Sequence, residues 1–279
     1  MDRRLETIRA KKSLGQHFLK DKQVPRIMAD AATVSAGDTV LEVGPGTGVL
    51  TQELLHRGAH VIAVETDSRS VEALNKTFVS AIQSQQLQIV ECDILNTTPS
   101  ELGLTTGEYK VVANIPYYIS GQLFRFFLDT DIQPSTLVFL VQKEVAERIV
   151  GPNRTGSRVR SEKESLLSLS VKAFGTPTYI KTVKKRYFSP PPKVDSAIIA
   201  INDISHSRFD TLDAPFFFEL LHLGFAARRK QLLGNLSKVF AREILIDTFS
   251  TLGIDEKVRG EDLSIEMWLT LAAALAIHR

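Results

Sequence analysis

Between residues 39 and 142, short and nearly continuous apolar runs alternate with longer amphipathic stretches. Thr39–Val43, His60–Val64, Leu87–Val90, Lys110–Ala113 and Thr136–Val141 read as strands. Helices are predicted from about Val49 to His56, Ser68 to Ser84 and Ser120 to Leu128. Strands of this kind, separated by helices, predict an α/β fold: a parallel sheet covered by helices on both faces. Right-handed crossovers then bring the carboxyl ends of the strands to one edge. After Gln142 the pattern changes. Residues 151–163 are polar and basic and read as a loop, and Ser165–Phe174 is predicted as a sixth strand. Ser189-Pro190-Pro191-Pro192 is stiff and extended. Ser196–Ile201 reads as an edge or antiparallel strand. From about Arg208 the spacing is helical. Pro215 opens one helix, and others are predicted near 229–239, 241–251 and 263–277. The expected division is therefore a sheet domain over residues 1–205 and a small all-helical domain over 206–279.

Composition narrows the classes. The chain has 279 residues, 43% of them hydrophobic, which suits a large globular domain with a smaller one beside it. No run approaches the roughly 18 apolar residues of a membrane span. The first residues, Met1-Asp2-Arg3-Arg4-Leu5-Glu6, lack the apolar centre of a secretory signal. Cys92 is the only cysteine, so an internal disulfide and a cysteine-cluster zinc site are excluded. A reducing cytoplasm and no metal are the expectation. The formal net charge of +2 conceals clustering. Residues 1–26 hold eight Lys/Arg against three Asp/Glu, and residues 143–193 hold twelve against four. If those segments meet in space they form a polyanion-binding face; separately they are solvated basic loops.

The candidate chemistry falls at the strand ends, where open α/β sheets bind ligands. Leu41-Glu42-Val43-Gly44-Pro45-Gly46-Thr47-Gly48 carries a strand through a glycine-rich turn into a helix. Such a turn lets a ligand approach the backbone and meet free amides, although alone it is also an ordinary tight turn. A dinucleotide fingerprint would need a third glycine at position 49, which is Val49. Glycines at 44, 46 and 48 fit an S-adenosylmethionine methyltransferase instead. Glu65 closes the second strand 21 residues after Gly44, where a carboxylate can accept ribose hydroxyls. Asp93 closes the third strand and can accept a bond from an adenine amino group. Asn114-Ile115-Pro116-Tyr117-Tyr118 closes the fourth. An amide oxygen accepts from an exocyclic amine and a tyrosine ring stacks on a base, so the stretch reads as a nucleobase site. On its own it is also a simple turn.

Several motifs together resemble the ribosomal RNA adenine N6-dimethyltransferase family. They are Lys12-Ser13-Leu14-Gly15-Gln16-His17-Phe18-Leu19, the Leu41–Gly48 turn, Asn114–Ser120, and Phe188-Ser189-Pro190-Pro191-Pro192-Lys193-Val194-Asp195-Ser196. Phe225-Ala226-Ala227-Arg228-Arg229-Lys230-Gln231-Leu232-Leu233 and Arg259-Gly260-Glu261-Asp262-Leu263-Ser264 extend the resemblance over about residues 10–275. Within the family the chain is most similar to the bacterial kasugamycin-resistance type; its C-terminal part favours that type over the erythromycin-resistance type, whose methylation of 23S rRNA is one alternative reading.

The resemblance implies a Rossmann-like sheet that uses S-adenosyl-L-methionine. It implies transfer to N6 of two adjacent adenosines in a hairpin loop near the 3′ end of 16S rRNA, within the immature 30S subunit. A monomer that touches no membrane is expected. A non-catalytic assembly checkpoint is the alternative of a different class. By matching position, His17 and Leu19 contact the cofactor, Gly44 and Gly46 line its methionine side, Glu65 holds its ribose and Asp93 its adenine. Asn114 lies between cofactor and target amine, while Tyr117 and Phe188 sandwich the extruded base. Three departures stand out. His17 and Tyr118 each occupy a position where the family frequently has asparagine, and the basic loop near Arg154–Lys163 differs. Arg228, Arg229 and Lys230 read equally as part of an RNA face or as helix-surface charge.

Overall fold

The computed structural model describes residue 11 and residues 15–151, 163–227 and 229–279. The chain forms two compact units. One comprises residues 1–146 and 176–204, the other residues 147–175 and 205–279. The helical unit thus takes in residues 147–175 as well as the C-terminal part.

The first unit is built on a seven-stranded sheet. Its strands are β2 (Thr39–Val43), β3 (His60–Glu65), β4 (Leu87–Glu91), β5 (Tyr109–Asn114), β6 (Thr136–Gln142), β7 (Thr176–Val183) and β9 (Ser196–Asn202), in the order β4-β3-β2-β5-β6-β9-β7. From β4 to β6 the pairing is parallel; β9 runs antiparallel to both β6 and β7. The apolar runs explain this arrangement. Val111–Ala113, Leu137–Val141 and Ala197–Ile201 are buried along their whole length, as strands covered on both faces must be. The helices α1 (Gln23–Ala31), α2 (Val49–His56), α3 (Ser68–Thr77), α4 (Val79–Gln83) and α5 (Ser120–Leu128) cover its two sides. In α5, Leu123, Phe124, Phe127 and Leu128 are buried, the three-and-four spacing of one helical face. A separate two-stranded ribbon pairs β1 (Phe18–Leu19) with β8 (Phe188–Ser189). No helix among the described residues is long and apolar enough to cross a membrane.

Three expectations about elements need correction. Ser165–Phe174 is not a strand but contains helix α7 (Leu166–Lys172). Its leucines suggest alternation, yet Ser165 and Ser168 form a reciprocal capping box that starts a helix. The Ser165 Oγ accepts from the Ser168 amide at 3.0 Å, and the Ser168 Oγ accepts from the Ser165 amide at 2.7 Å. The additional strand is β7 instead. Pro177 and its alternating exposure mark an edge strand, which propensity alone underrates. This leaves β9 inside the sheet, antiparallel to both neighbours, so of the two readings of Ser196–Ile201 the antiparallel one holds and the edge one does not. Finally, the helix expected over 68–84 breaks at Phe78, which ends α3 with φ −105° and ψ 30°.

The second unit contains α7, α8 (Ala214–Phe225), α9 (Leu232–Leu236), α10 (Arg242–Leu252) and α11 (Ile265–Ala276). The helix α6 (Lys143–Val150) enters it from the sheet. Trp268 is fully buried, and its indole N–H donates to the Gly260 carbonyl at 3.0 Å. A methyl group on Gly224 would lie 2.3 Å from the Trp268 ring, so only glycine fits there. Buried Asn235 donates to the Gly224 carbonyl at 2.7 Å. From the two C-terminal sequence motifs, Gly260, Phe225, stacked on Trp268, and buried Leu232 and Leu233 serve this packing. Arg229 and Lys230 are exposed, while Arg228 lies outside the described residues.

Candidate active site

The parallel strands deliver their ends to one cavity of about 580 Å³, a volume suited to a nucleotide-sized ligand. Gly44, Gly46, Glu65, Asp93, Asn114 and Tyr117 line it, together with His17 and Leu19 of the N-terminal segment. Phe188 does not. It is 1% exposed and belongs to the core cluster around Leu19, Val183 and Ile198.

The glycine turn after β2 has three left-handed residues, each for a different reason. A side chain on Gly48 (φ +74°) would come within 2.6 Å of Phe78 and 2.9 Å of Leu74. The break between α3 and α4 thus sets a ring against the turn. At Gly46 (φ +54°) the obstacle is the Phe18 ring, 3.1 Å away. A side chain on Gly44 (φ +67°) would meet no protein atom within 4 Å, so that face of the backbone is open to a ligand.

Glu65 is 5% exposed and braces this turn. Its Oε2 accepts from the Gly46 amide at 3.1 Å; its Oε1 accepts from the amides of Thr66 and Asp67, each at 2.9 Å. Burial raises its pKa, and these three amides oppose the rise. A carboxylate has about four acceptor positions, so one, on Oε2, remains for a hydroxyl donor. Asp93 is exposed, and its Oδ1 accepts from the Leu95 amide at 3.0 Å.

The opposite side is assembled from distant segments. Pairing of β1 with β8 sets Leu19 opposite Phe188 and brings His17 alongside. The His17 carbonyl accepts from Asn114 Nδ2 at 3.3 Å, which leaves Asn114 Oδ1 as the end able to accept. The His17 ring stacks on Tyr117 with centroids 5.7 Å apart and planes 24° apart, and its Nδ1 lies 2.8 Å from the Pro190 carbonyl. The ring against Tyr117 is therefore that of His17, not Phe188. The Tyr117 hydroxyl is 2.7 Å from Ser196 Oγ, and burial raises its pKa while this bond opposes the rise.

Five supporting residues are not among those expected from the sequence: Ser196, Gln16, Asp67, Arg69 and Glu42. Ser196 fixes Tyr117, and its position at the end of the Phe188–Ser196 motif was the available signal. Gln16 donates to Asp67 at 3.1 Å, with Arg69 on the same carboxylate. The hydrogen bond from Arg69 holds the Asp67 pKa well below the usual carboxylate range. Glu42 lines the cavity at 1% exposure and accepts from Thr51 Oγ1 at 2.6 Å. Burial pushes its pKa up to about 8. Glu42 is the acidic residue before the glycine turn, so its place in that motif was the signal.

Of the basic segments, residues 1–10, 12–14 and 152–162 lie outside the described residues. Lys163 pairs with Glu261 at 2.6 Å and Asp262 at 3.3 Å.

Residues 7–276 match the family profile described as ribosomal RNA adenine dimethylase. A relative from Dehalococcoides mccartyi, named ribosomal RNA small subunit methyltransferase A, is 39% identical over 97% of this chain and 90% of its own. Among solved structures, a dimethyladenosine transferase from Plasmodium falciparum is 27% identical with a TM-score of 0.76, covering 94% of this chain and 98% of its own. A 23S rRNA methyltransferase, ErmE, matches in fold, with a TM-score of 0.70, 23% identity, and coverage of 93% of this chain and 99% of its own.

Proposed function

The chain belongs to the ribosomal RNA adenine dimethylase family, and on that footing we propose that it transfers methyl groups from S-adenosyl-L-methionine to N6 of adenosines in small-subunit rRNA. The targets in this reading are two adjacent adenosines in a hairpin loop near the 3′ end of 16S rRNA, each converted to N6,N6-dimethyladenosine. The enzyme acts as a monomer on the immature 30S subunit in the cytoplasm. The sheet unit, most of residues 1–205, is the methyltransferase domain in this reading, and the helical unit, which takes in residues 147–175 as well as 205–279, contacts RNA. One observation carries the reading. Gly44, Glu65, Asp93 and Asn114, from four neighbouring parallel strands, line a single cavity.

The residues fit this cofactor. Open backbone at Gly44 suits its methionine side, with Gly46 beside it. Glu65 has acceptor capacity for a ribose hydroxyl, and Asp93 for the adenine amine. His17 and Leu19 close the same space from the ribbon side. When bound, the cofactor supplies a methyl group on a positively charged sulfonium, ready for direct displacement.

The protein's task is to present the nucleophile. The adenine N6 lone pair is delocalised into its ring. Asn114 Oδ1 and the Ile115 carbonyl accept its two N–H bonds, biasing the nitrogen towards a tetrahedral geometry and aiming its lone pair. Help of this kind is positioning and electrostatics, with no general base assigned. Tyr117 offers a ring to the extruded base, whose removal from a loop costs a few kcal/mol. Phe188 completes the clamp only if the ribbon adjusts, because its ring is buried. The second transfer must accept an amine that has already lost one N–H. Basic side chains hold phosphates, so RNA binding weakens with added salt.

The test is methyl transfer to unmodified small-subunit rRNA, naked and in immature subunits, with 23S rRNA as comparison. Dimethyladenosine at adjacent positions of the 16S hairpin is expected. Product on 23S rRNA alone, or none on any substrate, overturns the proposal.

A further inference from the structure

We propose that Tyr118 is a stacking platform for the RNA base next to the one that enters the cavity, and hence a substrate-positioning residue outside the catalytic group. This inference rests on the reading of the chain as an RNA adenine methyltransferase. Tyr118 is 67% exposed, whereas Tyr117 and Ile119 on either side are half-buried. Among the described residues it is the only large hydrophobic side chain that both lines the cavity and stands in solvent. Its ring is nevertheless seated. A methyl group on Gly15, which has φ +59°, would lie 3.2 and 3.3 Å from two Tyr118 ring carbons. The backbone at Gly15 thus approaches the ring closely, and any larger residue would push it away.

The surroundings select the partner. Among the described residues Tyr118 stands singly, without the contiguous apolar patch that a protein or lipid surface requires. Cations lie on the nearby ribbon. The segment before and after β8 carries exposed Lys185, Arg186 and Lys193, while Lys184 pairs with Asp195 at 2.9 Å. That segment reaches the cavity wall through the Pro190 carbonyl, which contacts His17. A flat apolar ring beside the cavity and cations on the segment that adjoins its wall together fit a single nucleic-acid strand. When one base leaves its stack, its neighbour loses a stacking face. The exposed Tyr118 ring replaces that face and sets the register of the strand.

The experiment uses the full chain with a small-subunit rRNA hairpin carrying 2-aminopurine at the nucleotide on either side of the target adenosine. Binding to the unaltered protein should quench the fluorophore on one side. Tyr118→Leu should restore the emission, and Tyr118→Trp should keep it quenched. With Tyr118→Leu, KM for RNA should rise about 5- to 150-fold, the range that loss of one base–aromatic stack produces. kcat and affinity for S-adenosylmethionine should stay unchanged. Equal emission from the unaltered and Tyr118→Leu proteins overturns the inference. So does a parallel loss of cofactor affinity, which would make Tyr118 a brace for the Gly15 segment. An effect on intact subunits but not on the hairpin also overturns it, in favour of a protein contact. Failure of the unaltered protein to methylate either RNA is a separate result, counting against the functional reading itself.

Discussion

The two walls of the cavity are built by different means. On one, Gly44, Glu65, Asp93 and Asn114 lie at the ends of β2, β3, β4 and β5, which adjoin in the parallel part of the sheet. The other comes from His17 to Leu19, joined to a segment some 170 positions away, with His17 and Pro190 in contact at a separation of 173. The first wall follows from local periodicity and crossover handedness, which repeat at every strand–helix unit. The second exists only after a long-range pairing has formed. Chemistry that depends on fixed distances is carried by the sheet edge, and the ribbon closes over it.

Substitutions separate the walls. Phe188→Ala should have the largest effect on stability, lowering it by about 3–5 kcal/mol in denaturant unfolding, because it empties a core position. Loss of turnover with stability unchanged would instead make Phe188 a base clamp that the folded core can spare. Asn114→Ala should lower kcat by about 100-fold or more through misplacement of the amine. Cofactor affinity, measured calorimetrically, should change little. A change in cofactor affinity equal to the loss of turnover would move Asn114 from the substrate side to the cofactor side.

The glycine turn offers a finer contrast. Gly48→Ala meets both left-handed strain and the Phe78 ring, and should cost about 2–4 kcal/mol of stability. Gly44→Ala meets only the strain, about 1–2 kcal/mol, and its main effect should be weaker cofactor binding. Equal effects of both on stability and binding would erase the distinction between a packed and a ligand-facing glycine.

The smallest effect concerns pH. Burial raises the Glu42 carboxyl to about 8, above its unfolded value of 4.5. The group binds a proton more tightly when folded, so its contribution is intact below pH 4.5 and is lost as pH rises towards 8. Glu42→Gln should therefore raise the melting temperature of the cofactor-free protein most above pH 8, and progressively less towards pH 5. A gain that does not depend on pH would show that Glu42 is not the titrating group.

The contrast also marks what could be read from the chain. Strand ends were legible because near-continuous apolar runs such as Leu137–Val141 admit few alternatives to a buried strand in this alternation. The turn at Gly44–Gly48 was legible because glycine spacing limits backbone conformation. The stacking of His17 on Tyr117 was not, because it depends on β1 meeting β8. Phe188 followed from resemblance, whereas its burial among Leu19, Val183 and Ile198 is a property of the folded core. Helix α7 departs from its apolar alternation because a two-serine capping box outweighs that pattern over so short a span. β7 was missed because edge strands tolerate proline and polar residues.

The central claim is that adenosyl cofactor and target adenine meet at Asn114. A crystal structure with a bisubstrate analogue, in which adenine N6 is tethered to the sulfonium-side atom of the cofactor skeleton, tests it most directly. The cofactor adenosyl group is expected between Glu65 and Asp93, and N6 within hydrogen-bond reach of Asn114 Oδ1, with the target ring on Tyr117 and the His17 ring displaced. An adenosyl group outside this cavity, or an N6 that approaches the cofactor without Asn114, would contradict it.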